Sequence, residues 1–316
     1  MNKFDDIEII YEDSPLDLNP DGRIKLRNPH MDCLESDFLY HLGLDTKKNN
    51  LKQMFGDVKF ICMGGTAERM QDFAQLVANE LGIDGSPVDL AKDSHRYSMF
   101  KIGPVLSVSV RITHGMGVSS LSILMHELFK VAHYADCKDL CFFRIGTSGG
   151  LGVPPGSIII TDKAVDELMR PFFELHISGK IVRRSCRFDA KLIEELKEIA
   201  KKQSNQYETF TGTTMCAMDF YETQSRLDGA FCNYTKEDKQ NFLQKLSKNG
   251  VKNIEMEALV FGSMCQMACV RGAIVCVTLL NRLDGDQIAS SKACLRELQN
   301  RPQRLVLDYI KYKLSQ

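Results

Sequence analysis

No stretch of the sequence approaches the roughly 20 consecutive apolar residues that cross a bilayer, and neither sign of charge is in excess. Forty Lys and Arg face 41 Asp and Glu, leaving a formal charge of −1. The first absence excludes a helical membrane span. The second excludes a surface steered broadly toward nucleic acid or membrane, while leaving room for a local basic pocket. The opening residues, MNKFDDIEII, are too acidic and too interrupted for a secretory signal, so a cytoplasmic chain is expected. The 11 cysteines include no CxxC pair, their number is odd, and a chain of 316 residues needs no disulfide staples. They read as small buried hydrophobes in a reducing compartment. Cys137/Cys141 and Cys265/Cys269 stand four apart, a helical-face spacing rather than that of a zinc or redox site. The dinucleotide pattern GxGxxG and the nucleotide pattern GxxxxGK(S/T) are missing, which leaves nicotinamide and ATP binding without support. His126-Glu127 opens like the zinc-protease HExxH, but the next histidine, His133, is off the required spacing; these residues are expected to pack their helix.

What is present is an ordinary globular composition, 44% hydrophobic and 26% charged, long enough for one large α/β domain. Residues 1–36 mix charge, Pro and Asn without periodicity and read as an N-terminal arm; residues 37–316 read as the domain. Short apolar runs predict strands at Val58–Met63, Val105–Thr113, Leu140–Ile145, Ser157–Thr161, Thr209–Thr213 and Ala273–Leu279. Helical patterns cover Ala67–Leu81, Ser119–Ala135, Ala190–Gln203, Lys236–Lys248, Met256–Ala268 and about Lys292–Leu314, where Pro302 is expected to start or kink a turn. Apolar strands alternating with helices predict a mostly parallel sheet between helical layers. No internal repeat or linker divides the chain. The basic run Lys180–Arg187, KIVRRSCR, reads as a solvated loop or an edge strand.

Three candidate strands run into glycines: FICMGGTAERM, FFRIGTSGGLG and RITHGMGVSSLSILMHEL. Glycine allows φ > 0, so backbone N–H groups can converge on an anion, and a following helix N-terminus adds positive potential. One such turn means little, because any tight strand–helix connection uses glycine. Three at the carboxyl ends of strands mark the place where open α/β sheets bind ligands. Arg69 and Arg144 lie beside them and suit an oxyanion such as phosphate.

NIEME (253–257) brings two carboxylates to a strand–helix junction. Glu257 there is suited either to cap the helix or to hold a sugar diol through its two acceptor oxygens. FYETQSRLD (220–228) sets Gln224 and Arg226 on alternate positions. An amide supplies donor and acceptor and a guanidinium adds donors, which complements the acceptor–donor–acceptor edge of a uracil.

The stretches THGMGVSSLSILMHEL (113–128), RIGTSGG (144–150), FYETQSR (220–226), NIEME (253–257) and CVTLLNRLDGDQI (276–288), in that order, resemble uridine phosphorylases of animal type, within the nucleoside phosphorylase superfamily. The likeness runs from about Tyr40 to the C-terminus. It implies a single α/β domain with a central mixed β-sheet flanked by helices. It also implies a homodimer with shared active sites that acts on uridine and phosphate, with no metal or cofactor. Carried over by motif, Gly65, Arg69, Arg144 and Thr147 match phosphate-binding positions, and Arg96 matches the phosphate arginine supplied by the neighbouring subunit. His41 matches the histidine that reaches across the interface to the ribose 5′-hydroxyl. Glu255, Met256 and Glu257 match the ribose-contacting segment, to which Thr147 also belongs. Phe220, Gln224 and Arg226 match the base site, and Arg282 a second arginine linked to O4 through water. Arg144, Gln224, Arg226 and Glu257 are the implied catalytic set.

The chain departs from that pattern in places. Ser119 replaces a proline, and Thr223 and Ser225 replace glycines flanking Gln224, which is expected to restrict the base loop. Tyr97 stands where bacterial relatives carry a potassium-binding glutamate. Ala91 and Ser98 occupy the positions of a cysteine pair, so redox gating is not expected. The implied reaction is reversible phosphorolysis of uridine to uracil and ribose 1-phosphate. The alternatives are a nucleosidase using water, a purine phosphorylase, and a catalytically silent nucleoside-binding paralogue. Three arginines aimed at one anion disfavour the first, and the Gln–Arg pair disfavours the second.

Overall fold

Several element boundaries follow from capping chemistry. Thr66 leaves the first glycine loop in extended conformation, and its Oγ1 accepts the Arg69 N–H; Gly82, left-handed at φ 64°, ends the same helix. Thr235 and Asp238 form a reciprocal capping box at the start of another. The computed structural model describes residues 8–14, 18–91, 94, 96–111, 115–202 and 207–316. In chain order these form β1 (Ile9–Glu12), a single 3-10 turn (Met31–Cys33), β2 (Phe38–Leu39), β3 (Leu44–Asp45), α1 (Leu51–Phe55), β4 (Phe60–Gly64) and α2 (Ala67–Leu81). There follow β5 (Tyr97–Ile102), β6 (Val105–Val110), α3 (Val118–Tyr134), β7 (Cys141–Gly150), β8 (Ile158–Val165), β9 (Phe172–Ile177), β10 (Lys180–Ser185) and α4 (Ala190–Lys202). The chain closes with β11 (Thr209–Cys216), α5 (Lys236–Lys248), β12 (Val251–Glu255), α6 (Ala258–Met267), β13 (Arg271–Asn281) and α7 (Lys292–Leu314).

Eight strands make one sheet in the order β12-β11-β8-β13-β7-β4-β6-β5. The β8–β13 and β5–β6 pairs are antiparallel and the other neighbours parallel, so the sheet is mixed, within a single α/β domain as expected. β12 also pairs with β7, Asn253 with Gly150 and Ile254 with Gly149, which bends half the sheet round on itself. The strand interiors are buried, including Ile158–Ile160 and Ala273–Val277. Against β4, β5 and β6, α2 buries Met70, Phe73 and Val77, each large apolar side chain contributing roughly 1.5–3 kcal/mol. A smaller cluster under α5 joins Leu243 and Leu246 to Met215, Val251 and Ile254.

Four expectations are corrected. The run KIVRRSCR is neither loop nor edge: β10 is the middle strand of a small sheet, β1-β10-β9. Its arginines are neutralised across the strands, Arg183 by Glu174 and Arg184 by Glu12. β1, within the residues expected to form an arm, covers the edge that β10 would otherwise expose. Pro302 neither starts a turn nor ends its helix, and α7 runs through it. The proline removes one N–H, but its neighbours are anchored: Pro302, Leu305, Val306 and Ile310 are buried, and Arg301 donates to the Gly156 carbonyl. The glycines of RIGTSGG do not form a turn. They lie within β7, and none has positive φ. Their lack of a side chain is what matters, since a Cβ on Gly149 would sit 2.7 Å from Arg282 Cγ and one on Gly146 would meet Arg144. Finally, Cys137 and Cys141 share no helix face. Cys137 follows α3 and Cys141 opens β7, while Cys269 lies beyond the end of α6. All 11 thiols are free; Cys33, Cys232 and Cys294 are exposed, Cys269 is half-buried, and the other seven are buried. Residues 112–114, at the predicted end of the Val105 strand, and Gln203 lie outside the described residues. No helix among the described residues is long and apolar enough to cross a membrane.

Candidate active site

At the carboxyl ends of β4, β7 and β12 the fold leaves a cavity of about 240 Å³. Gly65, Arg69, Arg144, Thr147, Phe220, Gln224, Arg226, Glu255, Met256, Glu257 and Arg282 all line it. These come from five separate segments of chain. His41 and Arg96 do not line it.

One end of the cavity is cationic. β7 carries Arg144, whose Nη2 pairs with Glu255 at 2.8 Å and also with Glu257. Burial opposes its charge, but the two carboxylates more than offset this and raise its pKa. Arg69, one turn into α2, has no such partner: among the described residues no carboxylate pairs with its guanidinium. Its Nε donates to Thr66 Oγ1 at 3.2 Å. Burial, and then the like charge of Arg144, lower its pKa. An arginine disfavoured by a second arginine is a site that gains from an anion.

Against Arg144 lie the carboxylates. Glu257 occupies the first boundary position of α6 but does not cap it. Glu255 does so instead, accepting the N–H groups of Glu257 (3.0 Å) and Ala258 (2.7 Å). Glu257 is therefore free of its own helix. Its Oε1 accepts the Gly117 N–H at 2.5 Å, where Gly117 sits at φ 86° and so requires glycine, and its Oε2 faces Arg144. Burial chiefly raises Glu255 to about 7, helped by the Glu257 anion and opposed by Arg144. Glu257 titrates below the usual carboxylate range, because Arg144 and the Gly117 N–H outweigh its burial. The pair is thus split, Glu257 being the carboxylate whose charge is favoured.

The far end presents an amide and a guanidinium. Arg282, 1% exposed, donates from Nη1 to Gln224 Oε1 (3.0 Å) and from Nη2 to the Gln224 carbonyl (2.9 Å). The amide orientation is set by these bonds. Arg226 donates to Asp228 through Nε and Nη2, and to the Asp286 carbonyl at 2.8 Å, with its Cζ 4.5 Å from the Phe220 ring centroid. Its Nη1 has no partner among the described residues. Ser225, between the two, is left-handed at φ 52°, a conformation that costs a non-glycine residue of order 1 kcal/mol.

Sequence reasoning did not single out Asp286, although it lies within the quoted LDGDQI. Its carboxylate takes Arg282 Nε (3.1 Å), Lys239 Nζ (2.7 Å) and the Leu227 N–H (3.0 Å), joining α5, the base loop and the end of β13. Asp286→Ala would strand two buried cations. It is expected to cost about 3–5 kcal/mol of stability, read as a shift in the urea midpoint; a loss below 1 kcal/mol would show that the three groups stand without it.

His41 and Arg96 share a second cluster, neither of them among the residues that line the cavity. Ser94 Oγ donates to the His41 carbonyl and accepts the N–H of Arg96 (3.1 Å) and Tyr97 (3.2 Å). Tyr40 and Phe38 stand exposed beside them.

A mixed α/β sheet whose strand ends combine an anion site, a carboxylate pair and an amide–guanidinium edge defines a site for a small polar ligand carrying a negatively charged group. Comparison with known proteins agrees with that class. The phosphorylase superfamily model matches residues 59–311, and the chain belongs to that family. It is 48% identical over 295 residues to uridine phosphorylase 2 of Mus musculus, covering 92% of this chain and 91% of that one. The crystal structure of uridine phosphorylase from Schistosoma mansoni in complex with thymidine superposes with a TM-score of 0.88 at 40% identity, covering 92% of this chain and 99% of that one. A second protein of that organism, named inactive uridine phosphorylase B, is 39% identical over 285 residues, covering 90% of this chain and 95% of that one.

Proposed function

We propose that this chain is a uridine phosphorylase, a pentosyltransferase that converts uridine and phosphate reversibly to uracil and ribose 1-phosphate. One observation carries the reading: a single cavity pairs an uncompensated Arg69 beside Arg144 with the Gln224–Arg226 edge. Phosphate bound by Arg69, Arg144, Gly65 and Thr147 supplies the nucleophile, and its charge stabilises the oxocarbenium-like ribosyl centre. The Glu257 carboxylate, with Met256 beside it and Glu255 behind, holds the 2′- and 3′-hydroxyls. Gln224 meets the uracil edge, the free Nη1 of Arg226 stabilises the departing base anion, and Phe220 packs against the ring. Positioning and electrostatics suffice, with inversion at C1′ and no covalent intermediate. Phosphate is a co-substrate, and no cofactor takes part.

The enzyme acts in the cytoplasm as a homodimer, His41 and Arg96 completing the neighbouring subunit's site. Their position outside the chain's own cavity, held together through Ser94, supports this arrangement. Mixing inactive Arg96→Ala with inactive Glu257→Ala protein is then expected to restore part of the activity, because one site of a mixed dimer receives both defects and the other neither. Complete inactivity despite demonstrated subunit exchange would place each site within one chain.

Uracil release from uridine, followed with and without phosphate, tests the function itself. Phosphate-dependent release with ribose 1-phosphate as co-product is expected. Binding of uridine without turnover would place the chain with the silent paralogues instead.

A further inference from the structure

Glu127 belongs to none of the roles above, yet its surroundings are unusual for a structural carboxylate. It lies on the third turn of α3, 8% exposed, and among the described residues no lysine or arginine pairs with it. All of its observed hydrogen bonds go to one short segment. Oε1 accepts the His41 backbone N–H at 3.0 Å and lies 2.6 Å from His41 Nδ1, while Oε2 accepts the Leu42 N–H at 2.8 Å. A carboxylate only accepts, so Nδ1 carries the hydrogen and the imidazole presents Nε2 on its opposite side. Tyr40 packs edge-on against the ring, centroids 5.1 Å apart, and Ser94 Oγ holds the His41 carbonyl. The histidine is thus fixed in position, ring orientation and tautomer while remaining partly exposed.

We propose that Glu127 is a positioning residue for catalysis: it locks His41 with Nε2 directed at the ribose 5′-hydroxyl in the neighbouring subunit's cavity. This rests on the shared-site reading above. The carboxylate's own chemistry makes it hard to replace. An amide in its place offers one acceptor oxygen and turns an NH2 toward a backbone N–H, losing at least one of the three bonds and loosening the segment that carries His41.

The test compares uridine with 5′-deoxyuridine on the full-length enzyme, using Glu127→Gln, His41→Ala and the double variant. Loss of folded protein scales both rates equally and cancels in their ratio. Glu127→Gln is expected to lower kcat/KM for uridine about tenfold, the scale of one lost hydrogen bond, and to leave 5′-deoxyuridine within about threefold of the parent. The double variant is expected to be no worse than His41→Ala alone, since both remove the same interaction. Should Glu127→Gln fail to fold, Glu127→Asp keeps the charge, shortens the reach by one methylene and is expected to show the same selective loss. Discrimination by His41→Ala but equal losses on both substrates for the Glu127 variants would overturn the positioning role while leaving the shared site intact. No discrimination by His41→Ala would overturn the assignment of His41, and the role of Glu127 with it.

Discussion

Arg226→Ala is expected to lower kcat/KM for uridine by about 10²–10³-fold while the protein stays folded, the scale of removing one donor from a preorganised anion-stabilising site. The bonds around Arg226 explain both halves of that expectation. Nε and one Nη2 contact tie the guanidinium to Asp228, and a second Nη2 contact ties it to the Asp286 carbonyl. Such anchoring costs no reorganisation when charge develops on the base, and it leaves Nη1 for the substrate. Removing the side chain strips the leaving group of its donor and the Phe220 face of its stacked cation. The fold loses less, because the Asp228 side chain is 23% exposed and also accepts from Gln287, so water can replace the lost partner. A variant within threefold of the parent in a uracil-release assay would detach this loop from the base.

Arg144→Ala is expected to act at the opposite end and on a different constant. Arg144 is the cation between Glu255 and Glu257 as well as a neighbour of Arg69. Its loss removes charge-assisted contacts worth roughly 1.5–3 kcal/mol each and exposes an incoming phosphate to two carboxylates. The apparent constant for phosphate should therefore rise at least about a hundredfold, while that for uridine shifts far less. Stability should fall by about 3–5 kcal/mol, since two buried carboxylates lose their common cation. Arg144→Lys, which restores a point charge without the planar fork, should recover stability before it recovers phosphate use. Measuring both substrate constants for the three proteins decides the matter. Rapid cleavage in phosphate-free buffer, yielding free ribose, would mean that the arginines do not serve a phosphate nucleophile.

Local chemistry accounts for what was legible without coordinates. α2, α5 and α7 lie at their predicted bounds because caps and apolar periodicity are written within a few residues of each end, as at Thr66, Gly82 and the Thr235–Asp238 box. The five motifs, together with the first glycine loop, likewise disclosed the residue types of the cavity. Strand ends were less legible. β7 continues through glycines that punctuate a turn in isolation, because what those glycines serve is the bulk of Arg144 folded back along the strand and of Arg282 arriving from elsewhere.

The sequence by itself therefore determined the α/β class, the helices and the polar groups available to the site. Tertiary structure alone decided how those groups are used. Glu127 meets His41 across 86 residues, Asp286 meets Arg226 across 60, and β1 covers β10 across some 172. It likewise decided that Glu255, rather than Glu257, caps α6, and that His41 and Arg96 do not line the chain's own cavity. The physical reason is common to all of these: helices and caps arise from neighbours three or four residues apart, whereas a buried charge is satisfied by whichever partner the packed sheet brings within 3 Å.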